Sequence, residues 1–350
     1  MAVADDRGGE APASAAAMSF RWNWHPPVPL AGVPYWDWPP RPLAVAHWLV
    51  AYFTRPSDRT LFLIFALFVG LWLQPVDAAQ STLSAGWPLE VLLRNVIALA
   101  VVAGGLHLWF HTYRVQESAF EYDRPDAARR RGRRFFLGHQ TWDNMFWTMV
   151  YAAPVATAWE LLARVMYARG VFTGIGFAEH PVVFVLLFPL LTLWQSAHFF
   201  VIHRALHWKP LYRWVHAVHH RNVSPTPWSG LAMHPVEHVL YFSSLAIFFL
   251  LPSHPVHMLF LLFWQLLGAP SGHSGFDALS VAGRRILALD AFFHHLHHRH
   301  FECNYGSGEF PLDRWLRTGH DGTGHDGTGH DGTGSAAGNR SRRRHRAAQG

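Results

Sequence analysis

The sequence predicts an all-α protein: a multi-pass membrane helical bundle with a histidine-rich cap on its cytoplasmic side. Half of the 350 residues are hydrophobic and only 15% are charged, against roughly 25% in an average soluble domain. The apolar residues gather in long stretches, and the 26 histidines lie mostly in the second half of the chain. The single cysteine, Cys303, excludes an internal disulfide and a cysteine-rich zinc or iron–sulfur site.

The first 42 residues are expected to form a separate, non-helical segment. Residues 1–20 are rich in alanine and carry early acidic residues, and they lack the basic start and apolar centre of a secretory signal. Residues 25–42 are dense in proline and tryptophan. That composition favours an irregular chain at a membrane interface.

Six apolar stretches follow, and each is predicted to form a helix. They cover residues 57–74, 88–111, 144–166, 181–202, 239–252 and 255–269. A spanning helix needs about 20 apolar residues, a length that the second to fourth stretches reach and the first approaches. The last two are shorter and are split by two prolines. They predict a tight hairpin that need not cross the bilayer, and a buried hairpin of the soluble type stays open as the alternative.

The arginines predict how these helices are oriented. The connections at 112–143 and 203–238 and the C-terminal part are rich in Arg and Lys, whereas 75–87 has none and 167–180 has only Arg169. Basic connections stay in the cytoplasm. This places both termini and the histidine-rich connections on the cytoplasmic side of an inner membrane. Because topology explains the net charge of +6, we expect no nucleic-acid partner.

The chain is divided into four regions on this basis. After the N-terminal segment 1–42 come the first three membrane helices with their basic loop, 43–180, and the histidine-rich region, 181–318. The tail, 319–350, repeats Gly-His-Asp-Gly-Thr three times and then becomes basic. A tail of this composition is predicted to be disordered.

The spacing of the histidines predicts a metal site. His203 and His207 are four residues apart, and the pattern His-x-x-His-His occurs twice, at 216–220 and 294–298. Such spacings place the rings on one face of a helix. Imidazole ligands suit zinc, copper, iron or nickel, and one zinc needs only three or four. The candidate ligands are His203, His207, His216, His219, His220, His273, His294, His297 and His298.

Nine ligands are too many for one ion and sufficient for two. An all-nitrogen site without cysteine, at a membrane surface, favours a dinuclear iron centre for oxygen chemistry over a structural zinc.

Three histidine boxes in this order resemble those of the fatty acid hydroxylase superfamily, in its sterol desaturase branch. Box one is His203-Arg204-x-x-His207, box two is His216-x-x-His219-His220, and box three is His294-x-x-His297-His298, followed by Asn304-Tyr305-Gly306. The supporting motifs are Pro225-Thr226-Pro227-Trp228, His234-Pro235-x-Glu237, Ser271-Gly272-His273-Ser274-Gly275 and Leu312-Asp313-Arg314-Trp315. The resemblance covers about residues 185–323 and identifies 181–318 as the catalytic region.

The resemblance implies a membrane-bound non-haem enzyme with two iron ions, which uses O2 and external electrons to hydroxylate or desaturate a C–H bond of a lipid. It implies that the three boxes hold the metals and are catalytic, with His273 as a further ligand. His198, His234 and His238 are additional candidates. Asn304 is expected either to orient a ligand or water beside the metals or to terminate a helix in a turn.

The expected partners are a lipid and an electron donor. No haem-binding or nucleotide-binding motif is found in the sequence, so a separate ferredoxin-like protein or flavoprotein reductase is expected to supply the electrons. The lipid, a sterol, hopanoid, carotenoid or acyl chain, would enter from the bilayer through an aromatic slot. Candidate slot residues are Phe199, Phe200, Trp208, Trp214, Trp228 and Trp264; ordinary membrane-interface aromatics are the alternative.

Two other functions compete with the oxidoreductase. A histidine-rich metal transporter should carry ionisable residues inside its spans, and only Arg94, His107 and Glu160 lie within or near the apolar stretches. A zinc-dependent membrane hydrolase would need a carboxylate base beside the ligands. Glu237 is the nearest approach to such a base.

Overall fold

The computed structural model describes residues 24–36, 39–84, 86–122, 132 and 134–323, and it is mostly helical. The helices are α1 (Pro42–Thr54), α2 (Asp58–Phe68, extended by a π turn, Val69–Leu73), α3 (Trp87–Thr112), α4 (Gln140–Trp147), a π turn (Thr148–Ala152), α5 (Ala153–Ala168), α6 (Pro181–Leu206), α7 (Ala217–His220), α8 (Pro235–Phe242), α9 (Pro255–Gly272), α10 (Phe292–His300) and α11 (Leu312–Trp315). Short helical turns lie at Ala78–Ser81, Lys209–Leu211, Tyr212–His216, Pro227–Leu231 and Ser243–Phe249. All six apolar stretches lie in helical segments, so the predicted helical class is confirmed.

Among the described residues, two helices are long and apolar enough to cross a membrane, α3 and α6, each with 26 residues. They contain the second and fourth predicted stretches. Both expose apolar side chains along one face, such as Leu93, Ile97 and Val101 of α3. A large exposed apolar face suits contact with lipid. The number of membrane passes and the cytoplasmic position of the cap stay predictions.

Helix α9, the sixth predicted stretch, is the core of the molecule. Every side chain from Met258 to Phe263 is fully buried. Helices α2, α5 and α6 and the turn Pro227–Leu231 pack around α9. A helix that is apolar on all faces is stable only where neighbours cover all of them. The end of α9 therefore provides a fixed point from which His273 projects.

The turn Pro227–Leu231 approaches the end of α9 so closely that only glycine fits. A Cβ on Gly230 would lie 2.3 Å from the carbonyl oxygen of Ala269 and 2.8 Å from the nitrogen of Pro270. No side chain can occupy that gap without moving one of the two backbones. Gly230 therefore fixes the distance between this turn and the helix end.

A buried ionic network joins α3 to α5. Glu160 is fully buried and pairs with Arg94, while its other oxygen accepts a 2.7 Å bond from Arg164 Nε. Asn95 Nδ2 donates to the same carboxylate at 3.0 Å. These ionisable residues therefore pair with one another inside the bundle.

The cap begins after His273 with one irregular element outside the all-α prediction, an antiparallel hairpin of β1 (Ala278–Val281) and β2 (Arg284–Ala288). In this hairpin Ala278 pairs with Ala288. Helix α10 follows directly and carries box three. The hairpin thus sets where the box-three helix starts.

The N-terminal segment packs along the cap. Residues 24–36 form no helix, as the proline-rich sequence predicts. Their backbone bonds to two distant parts of the chain, with Trp24 N donating to Glu121 O and Leu30 N to Asp321 O, each at 2.8 Å. Residues 319–323, predicted to begin the tail, are hydrogen-bonded here because Asn304 captures their backbone.

Several predictions concern residues outside the described ranges. They are the start of the N-terminal segment (1–23), most of the basic loop (123–131 and 133), and the second and third repeats with the basic tail (324–350).

Candidate metal centre

Four parts of the chain bring the predicted histidines together. His203 lies in the last turn of α6 and His207 caps it. Box two spans the π turn Tyr212–His216 and α7, and box three lies on α10. His273 is the residue that ends α9. Helical spacing aligns the rings within each box, and packing around α9 brings the boxes to one place.

The nine candidate histidines form two clusters. In each, one ring nitrogen from every member lies within 4.8 Å of the others. The five-histidine cluster consists of His203, His207, His216, His220 and His297, and the four-histidine cluster consists of His219, His273, His294 and His298. Boxes two and three each contribute to both clusters.

Ring nitrogens face one another at short range inside both clusters. His220 Nε2 lies 3.1 Å from the Nε2 atoms of His207 and His297. His273 Nε2 lies 3.0 Å from His298 Nε2 and 3.1 Å from His294 Nε2. Converging lone pairs of this kind form a site for a cation, because each neutral imidazole offers one acceptor nitrogen.

Four of the rings are oriented by a bond from their other nitrogen. Nδ1–H of His203 donates to Tyr305 O at 2.7 Å, and Nδ1–H of His297 donates to Cys303 O at 2.6 Å. His273 bonds in the same way to Ala269 O at 2.8 Å. Since a carbonyl oxygen only accepts hydrogen bonds, these bonds fix the proton on Nδ1. The lone pair of Nε2 is therefore free to bind a metal.

The fourth orienting partner is a carboxylate. His216 Nδ1–H donates to Glu237 Oε1 at 2.7 Å, and both residues are buried. His216 Nε2 is buried without a hydrogen-bond partner among the described residues. A buried ring nitrogen without a partner is costly, and a metal ion would satisfy it.

The surroundings of the two histidine clusters keep their rings neutral. Burial, reinforced by the neighbouring imidazoles, holds the pKa values of His216, His219, His220, His294, His297 and His298 well below the ordinary value. Burial also lowers the pKa of His273 to about 4. A lowered histidine pKa means that the ring is unprotonated at pH 7, which is the form that binds metals.

The sequence analysis assigned neither Glu237 nor Asp313 a part in the metal site, and named Glu237 only in a supporting motif and as the nearest approach to a hydrolase base. The Glu237 carboxylate holds His216 through the 2.7 Å bond to Nδ1. Asp313 Oδ1 and Oδ2 accept the backbone N–H groups of Tyr305 at 2.9 Å and Gly306 at 2.7 Å. The only sequence signal for Asp313 was its place in the supporting motif Leu312-Asp313-Arg314-Trp315.

Asn304 acts through the backbone. Its φ is +51°, in the left-handed region that Asn tolerates, and its Nδ2 donates to Phe293 O and His320 O at 2.9 and 3.1 Å. It stands between Cys303 and Tyr305, whose carbonyls hold two of the rings. Asn304 therefore makes a turn, and that turn positions the two carbonyls that accept from the rings.

The three additional candidates lie outside both clusters. His198 Nε2 is 3.0 Å from Ser243 Oγ, and His238 Nε2 donates to Leu231 O at 3.0 Å. His234 Nδ1 caps α8 by accepting from Val236 N. One ring nitrogen of each is engaged in a hydrogen bond that involves α8 or one of its ends.

A cavity of about 120 Å³ adjoins the clusters. Rings from both clusters line one side, including His203, His216 and His273, and Phe199 and Trp264 line the apolar side. The other four candidate slot residues are not among the lining residues, which corrects that prediction. Phe200 packs against Tyr305, Trp228 is buried in the core, and Trp208 and Trp214 are exposed.

Comparison with known proteins supports the resemblance carried by the boxes. A family model described as fatty acid hydroxylase matches residues 188–318. A Delta(7)-sterol 5(6)-desaturase of Gibberella zeae is 33% identical over 110 residues, covering 30% of this chain and 32% of that protein. Methylsterol monooxygenase 1 of Danio rerio is 31% identical over 142 residues, covering 39% and 48%.

Each of these matches covers less than half of both proteins. A methylsterol monooxygenase of Aspergillus fumigatus, 33% identical over 131 residues, covers 35% of this chain and 42% of its own length. The chain thus spans about a third to a half of the curated relatives it matches. No solved structure matches it. The matched region, which holds both histidine clusters, is similar to the fatty acid hydroxylase superfamily and to the sterol desaturases and methylsterol monooxygenases within it.

Proposed function

We propose that the chain is a membrane-bound non-haem di-iron oxidoreductase that hydroxylates or desaturates a C–H bond of a lipid, using O2 and electrons from a separate donor. One observation carries the proposal: nine imidazoles lie in two adjacent clusters, and five of them line a cavity that has an apolar side. The donor set contains no thiolate, which suits iron bound by nitrogen.

The five-histidine cluster would hold one iron and the four-histidine cluster the other. When bound, the iron pair would supply the activation of O2 that removal of hydrogen from a lipid carbon requires. The chain's own residues do the positioning. Glu237 and the carbonyls of Cys303, Tyr305 and Ala269 fix the rings.

The cavity walls would hold the hydrocarbon and keep water out. Phe199 stacks on His203 with ring centres 4.9 Å apart. Trp264 lines the same cavity from α9. An apolar wall in direct contact with a candidate ligand would align a C–H bond of the lipid beside the clusters.

The names of the relatives favour a sterol-like lipid, with a hopanoid, carotenoid or acyl chain as alternatives. The location proposed is the inner membrane, with the clusters and both termini on the cytoplasmic side. A ferredoxin-like protein or a flavoprotein reductase is the proposed donor, reached from that side.

The two competing functions are less well supported. Transport would require available ionisable residues within the bundle, whereas Arg94, Glu160 and Arg164 are engaged with one another. Hydrolysis would require a carboxylate base, whereas Glu237 is bound to His216.

Metal content tests the proposal. Detergent-purified protein from iron-supplemented cells is analysed by inductively coupled plasma mass spectrometry, together with His297→Ala from the five-histidine cluster and His298→Ala from the four-histidine cluster. We expect about two irons per chain in the unaltered protein and at least one fewer in each variant. His198→Gln, at a half-buried histidine outside both clusters, is the matched control and should keep both irons.

The contradicting results are equally clear. Zinc that persists after iron supplementation, or full iron in His297→Ala, would refute the di-iron assignment. If iron is present, membranes are incubated with O2 and a reductase system, and their lipids are analysed by mass spectrometry. Hydroxylation should give a lipid heavier by about 16 mass units, one oxygen, and desaturation a lipid lighter by about 2 mass units, two hydrogens.

A further inference from the structure

The two histidine clusters meet the outside of the protein in different places. Each has one half-buried member, His207 in the five-histidine cluster and His294 in the four-histidine cluster. His294 lines the cavity beside the clusters, whereas His207 is not among the described residues that line it. The exposed part of His207 therefore faces away from the cavity. The five-histidine cluster thus has an accessible edge on a side that the cavity does not reach.

Two tyrosines flank this exposed edge. The ring centre of Tyr212 lies 5.6 Å from that of His207 and 5.8 Å from that of His220. The ring centre of Tyr305 lies 4.9 Å from that of His207 and 5.5 Å from that of His297. Aromatic rings at these distances are in contact. Each tyrosine thus touches two members of the cluster, and Tyr212, which is half-buried, extends that contact to the surface.

Three exposed cationic side chains lie beside the tyrosines. They belong to Arg204, Lys209 and Arg213. The Arg204 guanidinium lies 5.3 Å from the centre of the Tyr305 ring, and Lys209 and Arg213 are four residues apart on consecutive helical turns. The chain from 180 to 236 contains no Asp or Glu. No acidic residue close in sequence therefore offsets these charges.

Two tryptophans complete this surface. Trp208 is 65% exposed and Trp214 is 78% exposed, and each is adjacent in sequence to one of the cationic residues. Large exposed apolar side chains that lie together mark interaction sites, and Trp, Tyr and Arg are enriched in protein interfaces. We call this surface the basic–aromatic patch; it consists of Arg204, Trp208, Lys209, Tyr212, Arg213 and Trp214.

We propose that the basic–aromatic patch is the docking surface of the electron donor, and that this donor is a small acidic iron–sulfur or flavin protein. The inference rests on the proposed function and locates its partner. A positive surface attracts and orients an acidic partner. A donor seated on the patch lies over His207 and Tyr212, so its redox centre is brought to the exposed edge of the five-histidine cluster.

The electron balance sets what the donor must deliver. Hydroxylation of a C–H bond consumes O2, two electrons and two protons and releases one water, and desaturation consumes the same and releases two waters. A donor that gives up one electron per encounter therefore docks twice for each lipid oxidised. Repeated docking and release suits a small interface whose attraction is largely electrostatic.

A membrane surface is the competing occupant of the patch. Tryptophans and cationic residues at the end of a membrane-crossing helix also suit anionic lipid headgroups. The position of His207 favours the protein partner. Lipid over the patch would seal the exposed edge of the five-histidine cluster, whereas a redox protein would use it. Coverage by lipid is therefore the outcome that the experiments must distinguish.

Binding of redox proteins tests the docking surface. The full-length protein is immobilised in phosphatidylcholine nanodiscs, and binding is measured by biolayer interferometry at low and at physiological ionic strength. The acidic probes are a plant-type ferredoxin and a flavodoxin, and basic cytochrome c is the mismatched probe. We expect the acidic probes to bind with a Kd of about 1–100 µM that weakens with salt, and cytochrome c not to bind. Binding of neither acidic probe, or equal binding of cytochrome c, would overturn the inference.

Charge reversal tests the patch directly. Lys209→Glu/Arg213→Glu should weaken binding of the acidic probes about tenfold or more at low ionic strength. Arg204 is left unaltered because its guanidinium packs on a tyrosine that contacts the cluster. The matched control, Arg41→Glu/Arg284→Glu, makes the same change in net charge at two exposed positions elsewhere, and it should bind as the unaltered protein does. Equal affinities of the two variants would refute docking on the patch.

An acidic side chain beside the patch supplies a test of opposite sign. Glu302 is exposed and lies close enough to Tyr305 to act on it electrostatically, as Arg204 does. Glu302→Gln should therefore strengthen binding of the acidic probes about two- to threefold at low ionic strength. Unchanged or weaker binding would mean that the probes dock elsewhere.

Cysteine labelling separates a protein partner from a lipid surface. Trp214→Cys is labelled in the nanodiscs with a membrane-impermeant maleimide, and peptide mass spectrometry distinguishes the new site from Cys303. We expect rapid labelling that ferredoxin slows. Ile286→Cys, at an exposed position of the β hairpin, is the control and should be labelled equally with and without ferredoxin. Slow labelling of Trp214→Cys in the absence of ferredoxin would show that lipid covers the patch and would overturn the inference.

Failure of this inference is distinguishable from failure of the proposed function. Iron is measured on the same samples, and binding is repeated on iron-free protein. Selective binding of the acidic probes to protein that takes up no iron would sustain the docking surface while removing support for the oxidoreductase. Iron-loaded protein that does not discriminate the probes would refute the docking surface alone. If a variant does not fold, the probe series and its salt dependence on the unaltered protein decide.

Discussion

Glu237 shows how one side chain outside the clusters can control a ring within them. Its carboxylate fixes the Nδ1 proton of His216, which directs the bare Nε2 toward the five-histidine cluster. A carboxylate in this place also raises the basicity of the ring. The effect on metal binding is therefore larger than one buried hydrogen bond suggests.

We predict that Glu237→Ala weakens iron binding about 10- to 100-fold, the range usual for partners of ligating histidines. Glu237→Gln should lose less, because the amide oxygen still accepts the Nδ1–H. The measurement is competition for iron against a chelator of known affinity. His198→Gln serves as the control and should match the unaltered protein. Equal losses in the Ala and Gln variants would argue against an orienting hydrogen bond.

The histidines themselves could be predicted residue by residue from their spacing. Positions such as 216, 219 and 220 share a helical face whatever surrounds them. Their division between two clusters could not be predicted, because His219 and His220 point to different clusters only after α9 and α10 have packed. The role of Asp313 could not be predicted for the same reason, because its carboxylate accepts the backbone N–H groups of Tyr305 and Gly306 across a loop.

At the scale of elements, the turn Pro227–Leu231 and the end of α9 form a contact that serves the site. The carbonyl of Ala269, which a Cβ on Gly230 would strike, is the one that accepts from His273 Nδ1 at 2.8 Å. Moving that carbonyl would turn the His273 ring. A change in packing at this contact would therefore change the orientation of His273 in the four-histidine cluster.

Gly230→Ala should accordingly destabilise the protein by about 1–3 kcal/mol, the usual cost of overpacking, and reduce iron more in the four-histidine cluster than in the other. Thermal unfolding in detergent and iron content are the two readouts. The control is Gly105→Ala, a helical glycine with no atom within 4 Å of the added Cβ, which should be neutral or slightly stabilising. Normal iron content in Gly230→Ala would disconnect this contact from His273.

The network around Glu160 lies within the helical bundle and shares no residue with either histidine cluster. Replacing Glu160 by Ala would leave Arg94 and Arg164 buried without their shared partner. Breaking a buried pair in this way costs about 3–5 kcal/mol. We expect a lower midpoint of thermal unfolding for Glu160→Ala, with iron content preserved at low temperature. Glu90→Gln, at an exposed position on α3, should change neither the unfolding midpoint nor the iron content. Unchanged stability of Glu160→Ala would mean that the network does not stabilise the fold.

Over the whole molecule, composition and periodicity predicted the helices and not their arrangement. The sixth apolar stretch predicts half of a short hairpin, either at the membrane or buried as in a soluble protein. Helix α9 is the most enclosed helix described, in line with the buried alternative, because its apolar residues cover every face and need neighbours all around. The cavity lining was predicted only in part for a related reason. Phe199 and Trp264 reach it, whereas Trp214 faces outward, a choice that depends on packing between elements distant in sequence.

The clusters draw their members from α6, α7, α9 and α10, so bound metal would connect most of the cap. Binding to the folded state alone stabilises it, by about 2.7 kcal/mol at a hundredfold excess over the dissociation constant. Cys303 reports on this region, since it is buried and its carbonyl holds His297. Burial raises the pKa of its thiol to about 12, so at pH 7.5 the reactive thiolate is scarce while the cap is closed.

We therefore predict that iron loading raises the midpoint of thermal unfolding by several degrees and slows maleimide labelling of Cys303 about tenfold or more relative to chelator-treated protein. Labelling is followed by intact-protein mass spectrometry, which is unambiguous because the chain has one cysteine. In the His297→Ala/His298→Ala double variant, added iron should shift neither quantity. Equal labelling rates with and without iron in the unaltered protein would mean that the cap is held by its packing alone, and that the metals are bound by a structure that does not need them.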